Sequence, residues 1–167
     1  MFPSLYISHG SPMLALEPGA SGPALARLAA EIAKPKAIVM VSAHWEANEL
    51  LVSGNPQPET WHDFGGFPQA LFDVQYPAPG NPQLAADVVE LLKAADLPAR
   101  IDAKRPFDHG VWVPLTLMYP QADIPVVQVS LPTRGGPALQ TRIGHALASL
   151  REQGVLLIGS GSITHNL

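Results

Sequence analysis

The stretch Leu5-Tyr6-Ile7-Ser8-His9-Gly10-Ser11-Pro12 sets the organisation of the chain. Its apolar run is typical of a strand, and the run ends at a histidine that a Gly-Ser-Pro turn follows at once. The same arrangement returns over residues 38–45, which end in His44 and Trp45, and over residues 155–165, which end at His165. Because the carboxyl ends of parallel strands meet at one edge of a sheet, the three histidines are expected to lie together.

Composition narrows the class of protein. A length of 167 residues favours one domain, and 47% hydrophobic against 14% charged residues excludes a disordered chain. The net charge of −4 argues against nucleic-acid binding. No signal peptide is expected, and no apolar run approaches the roughly 18 residues of a membrane span. The absence of cysteine excludes disulfides and thiolate chemistry, which fits a cytoplasmic protein.

Helices are predicted where apolar residues recur at spacings of three and four. Two have proline in their first turn, at Pro23 and Pro82, and Asn81 is expected to cap the second. The apolar residues that define the four predicted helices fall at 25–32, 84–95, 111–118 and 139–150.

Apolar runs bounded by turn residues predict the strands. These runs are Phe2–Ser8, Ala37–Ser42, Leu50–Ser53, Phe72–Tyr76, Ala99–Ala103, Val126–Leu131 and Val155–Ile158. Since strands alternate with helices, the predicted class is α/β, a three-layer α/β/α arrangement with a largely parallel or mixed central sheet. The first two strands are expected to pair in parallel through a right-handed crossover. Residues 1–167 are interpreted as one catalytic domain.

The strand-end histidines predict a metal site. Imidazole is a common ligand of zinc, iron and copper, and two such ligands with a third group leave coordination positions open. His9 and His44 are candidate metal ligands on this pattern. His165 follows a Gly-Ser-Gly turn and is interpreted as a ligand or a proton-transfer group. His109 is either a polar group at the mouth of the site or a helix-end histidine held by Asp108.

Other side chains are secondary candidates. His62, beside Asp63 in an aromatic loop, is a candidate pocket residue, whereas His145 lies within a predicted helix and is expected at the surface. Glu46 is a weak candidate for a third metal ligand. Four aromatic residues are available for a flat substrate slot or for the core: Trp45, Phe64, Phe67 and Trp112.

Two enzyme classes are poor fits. The segment Gly159-Ser160-Gly161-Ser162 lacks the glycine fingerprint and the lysine of phosphate-binding loops. No Gly-x-Ser-x-Gly elbow precedes an acid and a histidine, so a serine hydrolase is not supported.

Five motifs, in order along the whole chain, resemble those of one family. They are Ser8-His9-Gly10-Ser11-Pro12, Ser42-Ala43-His44-Trp45, Asp63-Phe64-Gly65-Gly66-Phe67-Pro68, Asp108-His109-Gly110-Val111-Trp112-Val113-Pro114-Leu115 and Gly159-Ser160-Gly161-Ser162-Ile163-Thr164-His165-Asn166-Leu167. Together they resemble the DOPA-dioxygenase branch of the class III extradiol ring-cleavage dioxygenases, the superfamily of protocatechuate 4,5-dioxygenase. One such motif alone is not specific, but five in order are.

The resemblance implies a non-haem Fe(II) or Zn(II) centre, one ion per chain, acting on a small aromatic diol and O2. By that likeness His9 and His44 hold the metal, His165 is the acid/base residue, and His109 contacts substrate or the oxygen species. The family's third metal ligand comes from a later segment. The chain is therefore expected to lack its C-terminal part, with that ligand lying beyond Leu167.

Asp63, Phe64 and Trp45 are the predicted substrate-binding residues. Two alternatives stay open: a zinc-dependent hydrolase that uses the same histidines, and an inactive metal-binding fragment. A homo-oligomer is compatible with the sequence.

Overall fold

A four-stranded sheet forms the centre of the structure, a computed structural model that describes residues 1–162. The strands are β1 Ser4–Ser8, β2 Ala37–Ser42, β3 Glu46–Ala47, β4 Leu50–Ser53, β5 Ala99–Asp102, β6 Val126–Gln128, β7 Leu131–Pro132 and β8 Val155–Gly161. The helices are α1 Ser21–Glu31, α2 Gln69–Phe72, α3 Pro82–Ala94, α4 His109–Met118 and α5 Gly136–Leu147. Two 3₁₀ segments, Pro12–Ala15 and Ala148–Gln153, complete the elements.

The central sheet has the order β1-β8-β2-β6, and every neighbouring pair is parallel. The predicted pairing of the first two strands is wrong, because β8 lies between β1 and β2. Strands β8 and β2 take the two inner positions, and each contains a continuous apolar run, the pattern of a strand covered on both faces. Outside this sheet β4 pairs in parallel with β5, and Val52 forms an antiparallel bridge with Val129.

Helices cover both faces of the sheet. Ile38 and Met40 of β2 pack in one core with residues of α1 and α4, whereas Ala37 and Val39 pack in a second core with residues of α3 and α5. This alternation follows from the two-residue period of a strand. The predicted three-layer α/β/α arrangement is confirmed.

Local signals gave several boundaries correctly. The strands Ala37–Ser42 and Leu50–Ser53 are as predicted. Helix α3 begins at Pro82, and the Asn81 side chain accepts a hydrogen bond from the Leu84 amide at 3.0 Å. The capping and first-turn signals of this helix are therefore confirmed.

The predicted strand at Phe72–Tyr76 is wrong, because Phe72 ends α2 and the chain then runs irregularly to Asn81. Polar groups of this segment form hydrogen bonds outside any sheet. The Tyr76 amide donates to Thr60 Oγ1 at 2.8 Å, and the Tyr76 hydroxyl donates to the Tyr119 carbonyl at 3.1 Å. The predicted strand Val126–Leu131 is divided into β6 and β7, because its central amides bond to other partners. The Ser130 amide, for instance, donates to the Leu51 carbonyl at 2.9 Å.

Helix α4 begins two residues earlier than predicted, at His109, and Pro114 lies inside it. Proline has no amide hydrogen, so the carbonyl four residues earlier, that of Gly110, loses its usual helical partner. The amino end of α4 lies beside the carboxyl ends of β2 and β8, where the Gly110 carbonyl accepts a hydrogen bond from Ser160.

None of the helices in residues 1–162 is long and apolar enough to cross a membrane.

Candidate metal centre

Three imidazoles converge at the carboxyl edge of the sheet. His9 follows β1 directly, His44 follows β2 by two residues, and His109 begins α4. One potential ligand atom from each lies within 4.8 Å of the other two. His9 Nε2 and His44 Nε2 are 2.9 Å apart, and the rings of His44 and His109 have centroids 3.9 Å apart. The structure thus brings together two of the strand-end histidines and the helix-end histidine.

His9 is anchored at both its backbone and its ring. Its amide donates to the Gly161 carbonyl at 3.2 Å, which continues the β1–β8 ladder past the end of β1. Its Nδ1 lies 2.9 Å from Ser160 Oγ. With Nδ1 engaged by β8, the ring presents Nε2 to His44.

His44 is positioned by a buried polar network. Its amide donates to Ser42 Oγ at 3.1 Å, and the Ser42 hydroxyl donates to Asp108 Oδ1 at 2.6 Å. Arg105 donates to the second Asp108 oxygen at 2.7 Å. Asp108 is fully buried, so each of its charged oxygens has a strong partner. The expectation that Asp108 holds His109 is wrong, because its carboxylate binds Ser42 and Arg105 instead.

Gly110 lets α4 approach this network closely. A Cβ atom at position 110 would overlap Ser42 Oγ and lie 3.1 Å from both Asp108 Oδ1 and His44 Cδ2. Only glycine leaves room for such an approach without displacing these atoms.

Asp63 holds His109. Both the backbone amide and Nδ1 of His109 donate to Asp63 Oδ1, at 3.0 Å and 2.9 Å. Burial raises the pKa of Asp63, but the hydrogen bonds and charge of His109 outweigh it, so the pKa lies below its ordinary value of 3.8. Because Asp63 binds Nδ1 of His109, the Nε2 atom on the opposite side of the ring points away from Asp63. The predicted contact of Asp63 with substrate stays a prediction.

Replacing Asp63 with asparagine should lower the free energy of unfolding in a pH-dependent manner. A depressed folded-state pKa stabilises the fold above the unfolded-state value, and this stabilisation is lost as pH falls through the folded-state pKa. The deficit of Asp63→Asn should therefore be constant at neutral pH and shrink below the ordinary value of 3.8. Urea unfolding at a series of pH values measures it, and a deficit that does not change with pH would contradict the assigned pairing.

Aromatic side chains form one wall beside His109. The Phe64 ring meets the His109 ring edge-on at 5.7 Å, and Phe64 packs against Phe67 and Trp112. Phe64 therefore belongs to an aromatic wall beside His109, and its contact with substrate stays a prediction. His62 lies behind Phe64, where its Nε2–H donates to the Val74 carbonyl at 3.0 Å.

Arg105 is a site residue that sequence reasoning missed. Its guanidinium lies 4.7 Å from the Trp45 ring centroid and 5.2 Å from that of Trp61 while it donates to Asp108. Trp45 is buried against this cation, so the ring predicted to bind substrate packs on Arg105. The signal that could have found Arg105 is its position three residues before Asp108, at the start of a buried helix.

The remaining predicted residues fall outside the cluster. Glu46 is exposed on β3 and does not belong to the histidine group found within residues 1–162. Glu46 is therefore not positioned as a third metal ligand in the described part of the chain. His145 is exposed on α5, as predicted. His165 lies outside the described residues.

The His9–His44 pair fits a single divalent ion. Imidazole nitrogens bind zinc at about 2.0–2.1 Å, so two ligand nitrogens 2.9 Å apart subtend an angle of about 90° at a shared ion. Neutral imidazole with Nδ1 bound elsewhere and Nε2 directed at the ion is the usual arrangement of a metal-binding histidine. The donor set therefore fits a divalent transition metal.

Known proteins are similar to this chain over nearly its whole length. A family model described as the catalytic LigB subunit of aromatic ring-opening dioxygenase matches residues 3–167. The "4,5-DOPA dioxygenase extradiol" of Escherichia coli K12 is 46% identical over 166 residues, which are 99% of this chain and 60% of that protein. The protein of the same name from Beta vulgaris is 43% identical, over 97% of this chain and 62% of its own.

A solved structure matches the fold. The crystal structure of an uncharacterized Escherichia coli K12 protein has a TM-score of 0.82 and 38% sequence identity, and the match covers 99% of this chain and 62% of that one. The chain thus spans about three fifths of the length of the relatives that it matches.

Proposed function

This chain belongs to the family of the catalytic LigB subunit of aromatic ring-opening dioxygenase, and on that basis we propose that it is the metal-binding domain of an extradiol dioxygenase that opens the ring of a catechol with O2. The observation that carries this proposal is the pair of imidazole Nε2 atoms, 2.9 Å apart, at the ends of β1 and β2. We propose further that residues 1–167 form a single catalytic domain of a cytoplasmic protein.

His9 and His44 are the proposed ligands of one Fe(II) or Zn(II) ion per chain. When bound, a divalent ion supplies Lewis-acid charge that orients a diol and favours its deprotonated form. Ser160 contacts the His9 ring, and the Ser42–Asp108 network positions the backbone of His44.

His109 is the proposed polar group beside the bound diol. Since its Nδ1–H is donated to Asp63, its Nε2 can accept a proton from a substrate hydroxyl or share one with it. Asp63 fixes the orientation of this ring by accepting from both its Nδ1–H and the His109 amide. By the family motif, His165 is the proposed acid/base partner.

Phe64 is the proposed contact for the flat face of the substrate. Its ring adjoins His109 and is supported by Phe67 and Trp112, so an aromatic ring placed against it would meet a packed apolar surface. A DOPA-like catechol is the proposed substrate, because the relatives with this name match 97% to 99% of the chain.

Oxygen uptake tests the proposal. The full-length protein, loaded anaerobically with Fe(II) and then given a catechol and air, should consume one O2 per catechol and form a yellow ring-opened product. His145→Ala, which alters an exposed helix residue, should behave as the wild type. Fe(II) bound at one equivalent without any catechol-dependent oxygen uptake would refute the dioxygenase assignment.

A zinc-dependent hydrolase is the second candidate. The observation that favours it is the group of three imidazoles, since three histidines with an open fourth position form a common catalytic zinc site. The zinc-loaded protein would then cleave ester or amide substrates and leave catechols unchanged. Testing both substrate classes on the same metal-loaded sample separates the two functions.

A further inference from the structure

The side chain of Ser160 joins the central strand, helix α4 and His9. Its Oγ lies 2.5 Å from the Gly110 carbonyl oxygen and 2.9 Å from His9 Nδ1. We propose that Ser160 is a positioning residue that fixes the tautomer of His9, keeping the proton on Nδ1 and the lone pair of Nε2 directed at the metal site. This inference rests on the proposed role of His9 as a metal ligand.

The direction of each hydrogen bond follows from counting protons. A serine hydroxyl has one proton, and a backbone carbonyl can only accept. The contact between Ser160 and Gly110 therefore uses the hydroxyl proton, and the oxygen of Ser160 is left as an acceptor. His9 Nδ1 must then carry a proton to donate, so in the neutral ring Nε2 carries none. That is the form in which Nε2 binds a metal.

Pro114 explains why the Gly110 carbonyl is available. In an uninterrupted helix the residue at position 114 would donate its amide to the Gly110 carbonyl, and proline has no amide hydrogen. The Gly110 carbonyl lies inside the protein, so it needs another donor, and Ser160 supplies one. The internal proline of α4 thus determines how the serine proton is used.

Burial protects the two hydrogen bonds of Ser160 from competition with water. Ser160 is 2% exposed and His9 is 1% exposed, so bulk water does not compete for either hydrogen bond. Ile158 belongs to the core that contains α4, and Ser160 follows it by two residues on β8, so the same strand face carries both toward that helix. The strand register therefore sets the hydroxyl between its two partners.

Two readouts on the full-length protein test the proposal. Nitrogen-15 NMR of the metal-free protein, with His9 assigned by comparison with His9→Gln, reports which ring nitrogen carries the proton. Competition titration with Zn(II) reports the affinity. Ser160→Ala should remove the preference for the Nδ1 proton and weaken Zn(II) binding about 10- to 100-fold. Ser160→Thr, which keeps the hydroxyl, should restore both.

Ser53→Ala is the matched control, because Ser53 is also a buried strand serine and accepts a hydrogen bond from the Gln128 amide at 2.7 Å. It should leave the His9 tautomer and the Zn(II) affinity unchanged. An unchanged tautomer in Ser160→Ala would overturn the inference, as would an unchanged affinity. If the wild type bound no Zn(II), the proposed function would fail, and the tautomer measurement alone would still decide the role of Ser160.

Discussion

Asp108→Ala is expected to lower the free energy of unfolding by about 3–5 kcal/mol, the usual cost of breaking a buried ion pair by removing one partner. The Asp108 side chain is fully buried, and that of Arg105 is only 11% exposed. Without the carboxylate, the guanidinium keeps its charge near the rings of Trp45 and Trp61 but loses its anionic partner. The Ser42 hydroxyl loses its acceptor at the same time.

Urea unfolding of the variant measures this loss. Asp123→Ala is the matched control, because Asp123 forms an ion pair with Lys34 in which both side chains are about half exposed. Exposed pairs contribute about 0–1 kcal/mol, so this control should lie close to the wild type. Equal losses for Asp108→Ala and Asp123→Ala would contradict the assigned role of the buried pair.

His9→Ala is expected to have the largest effect on metal binding. Removing a ligand should weaken the affinity for a divalent ion by at least about 100-fold, since altering a residue that only supports a ligand costs 10- to 100-fold. The remaining Nε2 of His44 would have lost the nitrogen that lies 2.9 Å away. His44→Ala should have the same effect, because each nitrogen supplies one of the two proposed bonds.

Isothermal titration with Zn(II) under anaerobic conditions measures both variants. His145→Ala provides the control, since it removes an imidazole from the exposed side of α5 and leaves the cluster intact. Wild-type affinity in His9→Ala would show that the ion binds elsewhere. A loss in His145→Ala as large as in His9→Ala would show that the titration reports binding at the surface.

Much of the site could be predicted because its signals are local. The convergence of His9 and His44 follows from two apolar runs that each end near a histidine, and their proposed metal chemistry rests on the preference of metals for imidazole. The α/β class likewise follows from alternating strand and helix patterns. These inferences require only that parallel strands end at a common edge.

The order of the strands required information that local patterns do not contain. Residues of β8 pair with residues of β1 that are about 150 positions earlier in the chain, as in the pair Ser4 and Leu157. An apolar run indicates that a strand is buried but does not name its neighbours. The insertion of β8 between β1 and β2 is what brings Ser160 to His9, so this hydrogen bond was beyond prediction.

The hydrogen-bond partner of His109 also could not be predicted from the sequence. Asp108 is its neighbour in sequence and was the natural partner, but the carboxylate that holds it is Asp63, 46 residues away. The path of the segment between β4 and α2, which contains Asp63, determines this contact. Asp108 is adjacent in sequence but does not hold His109, because its carboxylate forms an ion pair with Arg105.

Anomalous X-ray diffraction from crystals of the Fe(II)-loaded full-length protein, recorded at the iron edge, tests the central claim most directly. A single strong peak is expected in each chain, about 2.0–2.2 Å from both His9 Nε2 and His44 Nε2. A peak bound to other residues, or no peak in crystals that retain one equivalent of iron, would contradict the assignment of these two histidines as the metal ligands.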